Sequence, residues 1–138
     1  MTGHTPRRLA PATGPPPGPA VLIAAVSTAA QADRAIAAGA DMIDAAELSD
    51  QAVAAIHARH PRVRLWAGSP AAVGADGATT PDGRAMPLAA VVARAAVLTW
   101  LGTPAIRTRH ALPVRRAIDM TSSIAGTRLP SLTTRGLG

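Results

Sequence analysis

The stretch Val21-Leu-Ile-Ala-Ala-Val-Ser-Thr28 decides the fold class. Six apolar residues run together without the alternation that a half-solvated strand would show. A short continuous run of this kind suits a strand buried on both faces, as in a parallel sheet. Thr28 is placed to cap a helix behind it. In that helix Ala32, Ala35, Ile36 and Gly39 recur at i, i+3, i+4 and i+7, a single buried stripe. Gly39 sits where a helix-terminating glycine belongs.

The same unit recurs down the chain. Ala40-Asp-Met-Ile-Asp-Ala45 reads as a second strand, and Ser49 caps a second helix with Asp50 at its positive end. The stripe of that helix is Ala52, Val53 and Ile56, and Pro61 lies beyond its last turn. Val63-Arg-Leu-Trp-Ala67 is a third strand. Gly68 to Met86 holds four glycines, two prolines and two aspartates, and reads as a flexible loop longer than most connections. Pro87 to Leu101 is a third helix, with Leu88, Val91, Val92, Ala95, Leu98 and Thr99 expected inside and Gly102 ending it. Ala105-Ile-Arg-Thr-Arg109 is a fourth strand. Pro113 fits the first turn of a last helix, in which Val114, Ala117, Ile118, Thr121 and Ala125 lead to Gly126.

Strands alternating with helices imply an α/β fold with a parallel sheet and right-handed crossovers. About four βα units make a partial, half TIM-barrel-like arrangement or a small open sheet. The 138 residues suffice for one domain but not for a complete eight-stranded barrel, which needs about 250. The domain is expected over 21–128, between a disordered proline-rich arm, 1–20, and an irregular tail, 129–138. A partial barrel has two sheet edges that must be covered, blunted or paired, so a homo-oligomer is expected.

Composition narrows the chemistry. Alanine fills 33 positions, while lysine, asparagine, cysteine, phenylalanine and tyrosine are absent. Without lysine there is no Schiff base and no phosphate-loop amine; without cysteine there is no thiolate nucleophile, disulfide or cysteine-ligated metal. The net charge of +6 rests on 14 arginines against eight acids. These arginines are scattered, and Trp66 and Trp100 are the only aromatics that could stack on bases, which argues against a nucleic-acid groove. A modest anion site fits better; arginine serving only for solubility is the plain alternative. Arg7 and Arg8 precede an apolar stretch, but five prolines between Pro11 and Pro19 break it. No export signal and no membrane span are read, and a cytoplasmic location is expected.

The C-terminal half carries a family resemblance. Val63-Arg-Leu-Trp-Ala-Gly-Ser-Pro70, the loop, the alanine-rich helix and Ile106-Arg-Thr-Arg-His-Ala-Leu112 resemble the last two βα units of dihydropteroate synthase. That family ends one strand in a Gly-x-Ser-Arg-Lys loop and the next in Arg-x-His-Asp-Val. The stretch from Val114 to Pro130 and the ending Thr134-Arg-Gly-Leu-Gly138 are similar to one branch of dihydropteroate-synthase-like proteins. Ala37-Ala-Gly-Ala-Asp-Met-Ile-Asp44 resembles the family's Gly-Ala-Asp-Ile-Ile-Asp pattern. The likeness covers about residues 21–138 and implies a pterin-binding barrel, here shortened.

The departures shape what is carried over. Ser69 matches the loop serine, but Pro70 and Ala71 stand where arginine and lysine belong. Arg107 matches the arginine of the second motif, while Arg109 and His110 replace its histidine and aspartate. The asparagine-containing and lysine-containing motifs have no counterpart. The resemblance therefore implies a dihydropteroate-synthase-like protein without synthase activity, retaining at most a weak pterin or phosphate site. It would act through self-association or by binding a full-length relative. The alternatives are an active transferase joining pterin pyrophosphate to p-aminobenzoate, with magnesium, or a gene remnant without function. In the inactive form no cofactor is implied.

The candidate site residues are Gly68, Ser69, Arg107, Arg109, His110 and Asp44. Barrel sites lie at the C-terminal ends of strands, and phosphates often bind after the last two. Gly68 and Ser69 could offer a backbone N–H and a hydroxyl. Arg107 and Arg109, two apart on a strand, share a face and can clamp a phosphate; a solvated strand end, or pairing with Asp119, is the alternative. Asp41 and Asp44 face opposite sides and are not a catalytic pair. Asp44 is read as a strand-end capping carboxylate, or as an acid that bonds a pterin ring as family acids do. His57 and His60 share a helix face without a third metal ligand, so no metal site is read.

Overall fold

A computed structural model describes residues 20–66, 68, 72–77 and 82–126. The expected arm (save Ala20), the expected tail and Ser69 lie outside them. Five strands and four helices follow in the order β1 (Val21–Ala25), α1 (Ala29–Ala37), β2 (Met42–Asp44), α2 (Asp50–Arg59), β3 (Arg64–Trp66), β4 (Ala72–Gly74), α3 (Leu88–Trp100), β5 (Ala105–Thr108) and α4 (Ala111–Ile124). Every strand pair is parallel, in the spatial order β3-β2-β1-β5-β4. The α/β reading holds.

The local signals act as their chemistry predicts. Thr28 accepts from the Gln31 N–H and Ser49 from the Ala52 N–H, each at a helix start. Gly39 takes φ +97° just past α1, a conformation that side-chain-bearing residues rarely adopt.

The sheet is wound in one sense. The steps from β1 to β2 to β3 and from β4 to β5 all run the same way across it. Right-handed crossovers in a single direction put their helices on one face, as in a barrel segment. The core obeys this. Leu22, Ala24, Ile43 and Ile106 are mutual register partners or diagonal neighbours on one face. They pack with Ala32 and Ala35 of α1, Ile56 of α2, Val91 and Ala95 of α3, and Val114, Ala117 and Ile118 of α4. Full burial of each large aliphatic side chain in this set contributes about 1.5–3 kcal/mol. The opposite face carries Ile23, Met42, Asp44, Trp66 and Arg107, also in register with one another.

Three expectations are corrected. The segment read as loop, 68–86, contributes the edge strand β4, which pairs with β5. Three residues are too few for a periodicity to show, and backbone bonding to a formed neighbour makes the strand. Leu88, expected inside, is 47% exposed, because it opens α3 beyond the edge of the core. Ala125, expected on the inward stripe, is exposed past the end of α4. No helix among the described residues is long and apolar enough to cross a membrane.

Candidate functional site

The C-terminal ends of the strands meet on one side of the sheet, where Arg107, Arg109 and His110 follow one another out of β5. All three line a cavity of about 400 Å³ together with Asp76, Gly77 and Met86. Arg107 lies within β5 and Arg109 just beyond its end, and their guanidiniums reach different acids.

Arg107 has a partner that the sequence did not suggest for it. Its Nε donates to Asp44 Oδ2 at 2.7 Å, and Asp44 is only 5% exposed. The guanidinium carbon stands 6.0 Å from the centroid of the Trp66 ring, at the outer limit of a cation–π contact. Asp44 Oδ1 accepts from the Ala46 N–H at 3.0 Å, so the strand-end capping role read for this carboxylate is present. One acid thereby closes its own turn and holds the neighbouring arginine. The indole N–H of Trp66 is buried and meets no acceptor among the described residues.

Arg109 points the other way along the rim. Its guanidinium reaches Glu47 at 3.4 Å, in a pair exposed on both sides. Such a pair is worth little against solvent, which leaves this cation available to an anion. Glu47 also accepts from the Ser27 hydroxyl at 2.8 Å. Arg107 thus pairs with Asp44 and Arg109 with Glu47, while Asp119 lies 3.2 Å from Arg115 Nε.

Asp76 is the organising residue that sequence reading missed. It lies two residues after β4, in the segment read as loop. Its Oδ1 accepts from the Thr108 hydroxyl at 2.6 Å and its Oδ2 from the Arg109 N–H at 2.9 Å. Thr108 Oγ1 in turn accepts from the His110 N–H at 3.0 Å. The backbone leading from Thr108 through Arg109 to His110 is therefore held by a residue just beyond the adjacent strand. An aspartate two residues after a short apolar triplet, Ala72-Val-Gly74, was the available signal.

Gly68 adopts φ +96° after β3 and lines neither this cavity nor the larger one beside β1. Asp41 and Asp44 do face opposite sides: Asp41 accepts from the Leu22 N–H and from Arg115 of α4. His60 meets Asp33 of α1 at 2.9 Å, and Arg59 reaches the same acid at 3.2 Å. This ties α2 to α1. No group of three or more histidines and acids able to hold a metal occurs among the described residues. Comparison with known proteins returned no matching family model, no matching curated protein and no matching solved structure.

Proposed function

We propose that this chain is a shortened dihydropteroate-synthase-like protein that binds a phosphate or a pterin pyrophosphate without turning it over. The observation that carries the reading is the convergence of Arg107, Arg109 and His110 on one cavity at the strand ends of a singly wound parallel sheet. Guanidinium forks are suited to bidentate phosphate recognition. The buried indole N–H of Trp66, beside Arg107, could serve an acceptor on a heterocycle. Against turnover stands the sequence: it has neither the lysine nor the asparagine that the resemblance would require. Arg107 is also half committed to Asp44, which limits the affinity to a weak one.

Self-association belongs to the same reading. The edge strands β3 and β4 are three residues each, and Val97 and Trp100 of α3, Leu101 just past it, and Met120 and Ile124 of α4 are all more than half exposed. Exposed large apolar side chains on these two helices supply the contact surface of the proposed association. A second copy, or a full-length relative, is the partner proposed, in a cytoplasmic setting.

Calorimetric titration of the full chain with pterin pyrophosphate and with inorganic phosphate tests the site. Binding lost in Arg109→Ala and weakened in His110→Ala, with no dihydropteroate formed from p-aminobenzoate and magnesium, is the expected result. Product formation would overturn the inactive reading, and absence of any binding would remove the site itself.

A further inference from the structure

A larger cavity, about 690 Å³, lies between α1 and α4 over the C-terminal half of β1. Arg109 lines both cavities; otherwise their walls are different. The groove exists because the facing surfaces are built from alanine. Ala37 and Ala38 at the end of α1 and Ala111 at the start of α4 have too little side chain to fill the space, and Ala24, Val26 and Ala35 form its buried floor. Its volume is in the range that takes a small organic ligand.

The charge on this groove is of one sign. Arg34 and Arg109 are the charged residues that line it, and no carboxylate does. Arg34 is exposed and has no side-chain partner among the described residues. Among the described residues the Arg109 guanidinium meets only Glu47, in a long, solvated contact. The start of α4 adds to this. His110 makes no side-chain cap, the N–H groups of Ala111 and Leu112 meet no acceptor among the described residues, and Pro113 has none to offer. Two free amides at the positive end of a 14-residue helix thus open beside two arginines and an apolar floor.

We propose that the groove binds an amphipathic anion, with an apolar body on the alanine floor and a carboxylate, sulfonate or phosphate head toward Arg34, Arg109 and the α4 amides. This site shares Arg109 with the phosphate cavity proposed above and is otherwise lined by different residues.

The test is calorimetric titration of the full chain with three probes: 2-naphthoate, its neutral analogue 2-naphthalenemethanol, and inorganic phosphate. Naphthoate is expected to bind more tightly than either of the other two, because only it uses both floor and rim. Arg34→Gln is expected to weaken naphthoate about tenfold, the loss of one charge-assisted contact. Ala38→Leu, which narrows the groove without touching a charge, is expected to weaken it by a similar factor. Circular dichroism of both variants should match the parent. His110→Ala, in the other cavity, is expected to leave naphthoate binding unchanged, so the two sites fail separately. The proposal is overturned if the alcohol binds as tightly as the acid, if Arg34→Gln and Ala38→Leu both leave naphthoate affinity intact, or if naphthoate does not bind.

Discussion

Arg107 and Asp44 come from strands on either side of β1, and their side chains meet across it at 2.7 Å on the face that carries no helices. The acid is buried and the arginine only about one-third exposed. Removing the cation strands a buried carboxylate. Arg107→Met should therefore destabilise the chain by about 2–3 kcal/mol, below the 3–5 kcal/mol of a fully buried pair because the arginine is partly solvated. Asp44→Asn in the same background should return part of that loss. A double-mutant cycle in urea, read by circular dichroism, is expected to give a coupling energy of about 1–2 kcal/mol. Additive effects would mean that the pair is not a unit.

Asp76 holds the turn from β5 into α4 through two hydrogen bonds. Asp76→Ala leaves the Thr108 hydroxyl and the Arg109 N–H without that acceptor, at a cost of about 1–3 kcal/mol. Asp76→Asn keeps one acceptor and should cost less than the alanine variant. Hydrogen exchange at Arg109 is the direct readout: its amide should be protected in the parent and fast in Asp76→Ala.

Gly39 joins α1 to β2 at φ +97°, and a Cβ built there would lie 2.9 Å from Arg115 Cδ. Arg115 cannot simply move aside, because it bonds the Gly39 carbonyl at 3.2 Å and Asp41 at 3.0 Å. Gly39→Ala should cost about 1–2 kcal/mol from backbone handedness alone, with the displaced arginine adding to it. Arg115→Ala in the glycine background separates the two contributions by thermal denaturation.

Trp100 is 62% exposed on the outer side of α3, among other exposed apolar side chains. If that surface joins two copies, light scattering should give a mass near twice 13.9 kDa. Trp100→Glu should then return the monomer, since a desolvated carboxylate at an apolar contact is unfavourable. Dilution of the parent should move tryptophan emission to the red. A monomer at every concentration would remove self-association from the functional reading.

Much of the fold was legible because its cues are local. Thr28 and Ser49 cap the helices they were expected to cap, and the stripe Val114, Ala117, Ile118 and Thr121 is buried as its spacing required. The strand β4 was not legible, because Ala72-Val-Gly74 is extended by its bonding to β5 and not by its own preference. At the site, the placement of Arg107 and Arg109 at the end of one strand was legible from the alternation of strands and helices. Their partners were not. Asp44 and Asp76 reach β5 only through the strand order, which brings residues far apart in sequence side by side.

That order has a consequence for how the chain is made. β1 is the middle strand, yet one of its two neighbours is β5, so Val21 must wait for Ala105 before its ladder is complete. Nonlocal pairing of this kind slows folding. A nascent chain halted after β3 would present a hydrophobic strand with one naked flank, a template for intermolecular pairing.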